Sequence, residues 1–224
     1  EKFDFKKSEL DILDYIDVTI DDYNLCPRYA CRLIKNVEVK ESPSWLKKSL
    51  TAIGQKSVNN IVDLANYIMF DLGQPLHTFD YDKLNGNKIE VRRAHENEKI
   101  ICLNNDDNKL TSDDIVIADN SGPVAIAGVI GGLESQVTSK TTNLLLESAV
   151  FNEINIRKTS KKYDYAKEAS KRFERGIDYE NVIHVMDKFT YLLLSDCKKA
   201  EISFNYIDKC KSKSNKCIEF DVSK

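Results

Sequence analysis

The chain has 224 residues, of which 42% are hydrophobic and 31% are charged, and its formal net charge is −3. This composition is typical of a globular protein with one large domain or two small ones. It excludes a membrane helix, because no apolar run approaches about 20 residues, and a signal peptide, because the N-terminus lacks an apolar core. We therefore predict a cytoplasmic protein without a membrane partner, in which contact with nucleic acid needs a local basic patch.

The cysteines carry no metal-binding pattern. None of the six forms a CxxC pair, and the three histidines complete no zinc-finger spacing, so no metal site is predicted. We expect free thiols in a reducing cytosol, buried as small apolar side chains. A bridge between Cys210 and Cys217, across a loop rich in lysine, serine and asparagine, is the one alternative.

The N-terminal third is predicted to contain a strand and two helices. Residues 1–23 are acidic and irregular and suit a connector or an edge strand, and a broken period-2 pattern over residues 29–39 predicts the first main strand. Ser42 as N-cap, with a proline next to it, predicts the start of the first helix, and Gly54 predicts its end.

The second helix is predicted from Asn60 to Leu72, because apolar residues recur on one of its sides. Gly73 and Pro75 end it. His77 is therefore predicted to lie in a loop just beyond the C-terminus of this helix.

The rest of the chain changes from sheet to helix and back. Short apolar runs between turn clusters predict a sheet-rich segment over residues 88–150. Asp178 is predicted to cap the last helix. The remaining elements are helices over residues 152–162 and 178–194 and strands over residues 201–207 and 217–222. Because strands and helices are segregated, we predict an α+β fold.

Two features could carry chemistry, although GxSxG, HExxH, P-loop and GxGxxG signatures are absent. The glycine-rich segment 128–132 is either a tight turn between strands or a place where backbone N–H groups meet a ligand. Glu147 interrupts an apolar strand. It lies either at a strand end facing solvent or in a cavity, where a carboxylate accepts a hydrogen bond from a ligand.

His77 and a basic run are weaker candidates. His77 alone is more typical of a structural histidine than of a catalytic one. The basic run concentrates positive charge in a net acidic chain, and it is either a solvated helix face or a phosphate-binding edge. Its residues are Arg157, Lys158, Lys161, Lys162, Lys167, Lys171, Arg172 and Arg175.

Seven segments, in this order, resemble one family closely. They are Cys26-Pro27-Arg28-Tyr29, Ser42-Pro43-Ser44-Trp45-Leu46, Ser57 to Asp63 with Ala65-Asn66-Tyr67, Gly73-Gln74-Pro75-Leu76-His77-Thr78-Phe79-Asp80, Ala127 to Gly132, Leu146-Glu147-Ser148-Ala149 and Glu168 to Gly176. The chain is similar over residues 24–208 to the B3/B4 region of the bacterial phenylalanyl-tRNA synthetase beta subunit.

The resemblance implies an organisation and a fold. Residues 1–23 would be a connector from a preceding region, residues 24–208 the B3/B4 editing domain, and residues 209–224 a linker and the start of a following region. The domain would be a layered α+β structure, with a β-sandwich-like core and helices packed on it.

The resemblance also implies an activity, the hydrolysis of tyrosine wrongly esterified to tRNA(Phe). Asn66 and His77 would be the catalytic polar groups, and Glu147, Gly131 and Ala169 would bind the amino acid. The tRNA acceptor end would be guided by basic residues of the run. These residues are Lys161, Lys162, Lys167, Lys171 and Arg172.

Partners and cofactors follow from the same resemblance. The domain would need no cofactor, whereas ATP and magnesium would serve the whole synthetase, in which an alpha subunit carries the aminoacylation site in an α2β2 assembly. One residue departs from the family pattern, which usually has Thr-Asn-Tyr where this chain has Ala65 before Asn66. Two alternatives stay open: a free-standing trans-editing protein of the same fold, and a non-catalytic tRNA-binding or scaffold module, which Ala65 is the one residue to favour.

Overall fold

The computed structural model describes residues 3–211. The strands are β1 (Asp17–Ile20), β2 (Arg28–Lys35), β3 (Leu76–Asp80), β4 (Lys88–Arg93), β5 (Lys99–Ile101), β6 (Asp107–Lys109), β7 (Ile115–Asp119), β8 (Gly122–Ile126), β9 (Ile130–Gly131), β10 (Leu144–Val150), β11 (Glu201–Ile202) and β12 (Ile207–Cys210). The helices are α1 (Ser44–Ala52), α2 (Asn60–Leu72), α3 (Glu153–Lys162), α4 (Glu168–Phe173) and α5 (Asn181–Asp196). None of these helices is both long and apolar enough to cross a membrane.

The strands form two main sheets and a small hairpin. The first sheet has the order β1-β4-β7-β8-β9, and the second has the order β11-β2-β10-β3, with β12 also paired to β2. The β5–β6 hairpin stands apart. β1 runs parallel to β4, whereas the other paired strands are antiparallel. The α+β prediction is confirmed.

The second sheet is buried on both faces and separates two hydrophobic cores. Every residue of β10 is buried, and β2 is buried up to its last residue. On β2, Tyr29, Cys31 and Leu33 pack against the first sheet, whereas Ala30 and Ile34 pack against the helices. Because successive strand residues point to opposite faces, one strand serves both cores. The result is the predicted layering of sheet, sheet and helices.

Helix α2 begins and ends where its sequence signals predict. The Asn59 side chain accepts hydrogen bonds from the backbone N–H groups of the first turn, and Gly73 ends the helix with φ of 75°. The prediction for His77 is wrong, because it lies in β3, which pairs with β10. The strand follows the helix closely, and its pairing partner is far away in the chain, so the local sequence does not reveal it.

Two predicted caps are wrong. The Ser42 hydroxyl donates to the Asp63 carboxylate at 2.5 Å, and α1 begins at Ser44 without a side-chain cap. Asp178 accepts a hydrogen bond from the backbone of Glu180, and α5 begins after Glu180. The Ser42 side chain bonds to a carboxylate of α2, and the Asp178 side chain bonds to the N-cap residue Glu180 instead of the first helical turn, which is the usual competition for short polar side chains.

The N-terminal segment is part of the first sheet. Of the two predicted alternatives the edge strand is present, as β1, and Ile12, Ile16 and Val18 are buried in the core between the sheets. The connector from a preceding region stays a prediction for residues 1–23.

The last predicted strand and Cys217 lie outside the described residues. Within residues 3–211 all cysteines are free thiols, and Cys210 is exposed.

Candidate functional site

A cavity of about 470 Å³ opens where the second sheet meets α2, α4 and the turn before β9. The structure brings together on its wall all five residues that the sequence assigned to catalysis or substrate binding. These residues are Asn66 of α2, His77 of β3, Gly131 of β9, Glu147 of β10 and Ala169 of α4. The volume is in the range of a pocket for a small ligand, about 300–1,000 Å³.

Glu147 lies in the middle of a buried strand, with only 5% of its surface exposed. Its neighbours across the sheet are Cys31 of β2 and His77 of β3, and all three point between the sheets. The alternative of a strand end facing solvent is therefore wrong. A single hydrogen bond to the carboxylate is found in residues 3–211, donated by the Tyr29 hydroxyl to Oε2 at 2.9 Å.

Burial controls the charge of this carboxyl group. It raises the pKa of Glu147 to about 8, although the Tyr29 hydrogen bond acts in the opposite direction. In the described part of the chain no lysine, arginine or histidine forms an ion pair with Glu147. The group is therefore mainly neutral at pH 7. It is not one half of a structural ion pair.

His77 is a neutral imidazole at physiological pH. Burial lowers the pKa of His77 to about 4. Its ring meets Phe79 edge to face, with 4.4 Å between the ring centroids. A neutral imidazole has one donor and one acceptor nitrogen, so His77 can orient a water molecule but does not supply positive charge.

Gly131 gives His77 the room for its ring. A Cβ atom at Gly131 would lie 2.6 Å from Cε1 of His77 and 3.2 Å from Cδ1 of Leu103. The glycine segment also contains a backbone turn, since Gly128 has φ of 65°. The segment is therefore a turn at its start and part of the cavity wall at its end, and contact of its backbone N–H groups with a ligand stays a prediction.

We expect Gly131→Ala to lower the rate of any reaction catalysed in this cavity by about tenfold or more, because the new methyl group displaces the His77 ring. The control is the same change in a His77→Ala background, where the space is free. If Gly131→Ala costs as much there as in the wild type, the glycine does not act through His77. Turnover rates of the four proteins give the comparison.

Asn66 and Ala169 complete the wall. Both are partly buried, and the Asn66 amide makes no hydrogen bond to the described part of the protein, so it is available to a ligand. Ala65, the residue at which the sequence departs from the expected family pattern, also lines the cavity.

The sequence missed the contribution of the β5–β6 hairpin. Leu103 and Asn104, at its tip, line the cavity, although the sequence there indicates only a turn. It also missed Tyr29 as the partner of Glu147. Tyr29 ends one of the family-like segments, which was the available signal.

The basic run divides into bound and available side chains. Lys162 bonds to Asp114 at 2.6 Å, and Lys171 and Arg172 pair with Glu168 at 2.8 and 2.9 Å. Of the five residues predicted to contact tRNA, Lys161 and Lys167 are exposed and form no ion pair with described residues, and Lys167 lines the cavity. Their contact with nucleic acid stays a prediction.

No group of three potential metal ligands occurs among residues 3–211. A protein-family model described as the B3/4 domain matches the chain. The chain matches that family over residues 25–198, and it belongs to the B3/4 domain family.

The curated relatives are phenylalanine–tRNA ligase beta subunits. The one from Protochlamydia amoebophila (strain UWE25) is 47% identical over 189 residues, which are 84% of this chain and 24% of the relative. The one from Syntrophotalea carbinolica (strain DSM 2380 / NBRC 103641 / GraBd1) is 48% identical over 177 residues, 79% of this chain and 22% of the relative. The chain thus spans about a quarter of their length, and the resemblance seen in the sequence is confirmed.

A solved structure has the same fold. It is an N-terminal fragment of the phenylalanyl-tRNA synthetase beta subunit from Pyrococcus horikoshii, with a TM-score of 0.56 and 14% identity. The match covers 94% of this chain and 57% of that one.

Proposed function

We propose that this domain edits tRNA(Phe), by hydrolysing the ester of mischarged Tyr-tRNA(Phe) within a phenylalanine–tRNA ligase. One observation carries the proposal. A carboxyl group, Glu147, lies at the wall of an otherwise largely apolar cavity without a cationic partner among residues 3–211. A buried polar group of this kind favours a ligand that hydrogen-bonds to it.

Selection against phenylalanine follows from the same carboxyl group. A synthetic site for phenylalanine cannot strongly reject an isostere that only adds a hydroxyl, so a second sieve is useful. The tyrosine phenol donates to Glu147 and favours its ionised form, and the proton of the carboxyl group goes to solvent. The charge-assisted hydrogen bond contributes about 1.5–3 kcal/mol, less about 1.4 kcal/mol for ionisation one pH unit below the pKa. Phenylalanine leaves the carboxyl group desolvated and without this donor. The correct product is therefore spared.

Hydrolysis needs a positioned water more than a strong base. An aminoacyl ester is already labile, and the neighbouring ribose hydroxyl can assist. The free amide of Asn66 and the neutral imidazole of His77 are the polar groups that orient the water and stabilise the developing oxyanion. Gly131 and Ala169 keep the cavity wide enough for the ring.

The whole ligase supplies what this domain lacks. The relatives are beta subunits, and we propose that this chain acts beside an alpha subunit in an α2β2 assembly in the cytoplasm. ATP and magnesium serve the aminoacylation site there, and the tRNA(Phe) acceptor end moves between the two sites.

The test is a deacylation time course with the complete ligase carrying this domain. Tyr-tRNA(Phe) should be hydrolysed at least about tenfold faster than Phe-tRNA(Phe), and His77→Ala should slow the first reaction without changing aminoacylation. Equal hydrolysis of both substrates, at the rate seen without enzyme, would instead support a scaffold module with a decayed cavity. The methyl group of Ala65 in the cavity wall is the observation that favours this second candidate.

Lys161 and Lys167 should carry the phosphate contacts. We expect Lys161→Gln with Lys167→Gln to weaken tRNA(Phe) binding and to reduce the slope of log K against log salt by about one to two units. The control is Lys48→Gln with Lys140→Gln, which makes the same change in net charge at exposed lysines outside the run. Equal slopes in the two double variants would return the run to a solvated helix face.

A further inference from the structure

The carboxyl group of Glu147 already binds a phenol that belongs to the protein. Tyr29 lies on β2 and is fully buried, and its hydroxyl donates to Oε2 of Glu147 at 2.9 Å. In the register of the two strands Glu147 faces Cys31 and Tyr29 faces Ala149, so the Tyr29 ring reaches Glu147 diagonally. Tyr29 does not line the cavity. It therefore holds the carboxyl group from the side away from a ligand.

The second carboxyl oxygen is the one that a ligand meets. Oε1 of Glu147 makes no hydrogen bond to the described part of the chain. Among the described residues, five buried side-chain atoms have no hydrogen-bond partner: Thr19 Oγ1, Arg32 Nε, Gln74 Oε1, Asp80 Oδ1 and Ser148 Oγ. Oε1 of Glu147 is not one of these buried atoms. Oε1 is accessible, and Glu147 borders the cavity. The Tyr29 hydrogen bond therefore fixes Oε2, whereas Oε1 is available to a ligand.

The other titratable groups around Glu147 do not replace Tyr29. Cys26 precedes β2, Cys31 is on β2, and His77 is on β3. Burial, together with the nearby Glu147, raises the pKa of both thiols, and burial keeps His77 neutral. None of them bonds to the carboxyl group. Within residues 3–211 the Tyr29 hydroxyl alone stabilises the charged form of Glu147 by a hydrogen bond.

We propose that Tyr29 is a positioning residue for tyrosine selectivity, whose phenol fixes Oε2 of Glu147 so that Oε1 receives the phenol of the substrate. The proposal rests on the proposed editing function. Two phenols then share one carboxylate, one from the protein and one from the mischarged amino acid. With phenylalanine in the cavity only the protein's phenol remains, and the carboxyl group keeps its proton.

Tyr29→Phe tests this role, because it removes the hydroxyl and keeps the ring that packs between the sheets. In the complete ligase we expect the preference for Tyr-tRNA(Phe) over Phe-tRNA(Phe), measured as the ratio of kcat/KM values at pH 7.5, to fall by roughly tenfold. The pH at which this preference is half-maximal should move upwards, because the carboxylate has lost its stabilising donor. Tyr81→Phe is the control. It removes a hydroxyl that bonds to the Tyr15 backbone away from the cavity.

A merely structural role for Tyr29 gives a different result. Tyr29→Phe would then lower kcat/KM for both substrates by the same factor and leave the pH of half-maximal preference unchanged. This result would overturn the proposal. A direct titration of Glu147, by the carbonyl stretch of its carboxyl group, provides a readout without activity, and its midpoint should rise in Tyr29→Phe. If the wild type shows no tyrosine preference, the editing function fails. If the preference is present and survives Tyr29→Phe with an unmoved midpoint, only the positioning role fails.

Discussion

Glu147→Ala should lower the preference for Tyr-tRNA(Phe) over Phe-tRNA(Phe) by about tenfold or more, equivalent to about 1.4 kcal/mol. The variant loses the acceptor for the substrate phenol, so tyrosine is hydrolysed more slowly. It also loses the desolvation penalty that repels phenylalanine. Deacylation time courses with both substrates, in the complete ligase, provide the measurement. Glu147→Gln should lower the preference about as far as Glu147→Ala, because its amide oxygen accepts the Tyr29 hydrogen bond and its NH2 group, which cannot accept from the substrate phenol, takes the place of Oε1.

The same preference should depend on pH in the wild type. Burial raises the pKa of Glu147 to about 8, and the carboxylate is the stronger acceptor for a phenol. The ratio of the two rates should therefore rise between pH 6 and 9. Esters hydrolyse faster at high pH in general, but this affects both substrates alike and cancels in the ratio of the two rates. Glu147→Gln has no group that ionises and should give a flat ratio.

Stability distinguishes recognition from a structural role. The folded pKa of Glu147 is raised above its ordinary value of 4.5. Its contribution to stability is therefore complete below about pH 4.5 and is lost as the pH rises through about 8. Thermal melts should show that Glu147→Gln removes this loss at high pH. A large drop in the melting temperature of Glu147→Ala, with tyrosine preference preserved, would contradict recognition.

Ala169→Trp should abolish deacylation of Tyr-tRNA(Phe) while the protein stays folded. Ala169 is partly buried on α4 and lines the cavity, and an indole at this position takes the volume that the tyrosine ring needs. Aminoacylation should continue, because it belongs to another site. We expect a loss of about 100-fold or more, as for a substrate that cannot reach its reactive geometry.

Ala166→Trp is the matched control for this prediction. Ala166 precedes the same helix but is exposed and lies outside the cavity wall. It adds the same side chain nearby, and its deacylation rate should stay within about twofold of the wild type. If Ala169→Trp is folded and as active as Ala166→Trp, the tyrosine ring binds elsewhere.

Elements with local signals could be predicted from the sequence, and elements made by distant pairing could not. Asn59 and Gly73 bracket α2, so its bounds follow from capping chemistry. His77 shows the opposite case, because β3 exists through its pairing with β10. Ser42 and Asp178 show a third case. Their side chains suit a helix cap, but in the folded chain they form hydrogen bonds with Asp63 and with the backbone of Glu180 instead.

The candidate site divides in the same way. The order of family-like motifs was enough to predict which residues meet in the cavity. It did not predict the distances between those residues. The bond from Tyr29 to Glu147 could not, because a diagonal contact depends on the register of two strands far apart in the chain. The ion pair of Lys162 with Asp114 is similar. A run of like charges in sequence gives no information about which carboxylates neutralise it.

The pairing of β10 with both β2 and β3 has a consequence for the order of folding. Its partners β2 and β3 both precede it by a long stretch of chain that forms the first sheet. Closing such long loops is entropically costly and slow. We therefore expect the pairings that bring Glu147 to Tyr29 and His77 to form late in folding, so that the cavity is complete only when the whole domain has folded.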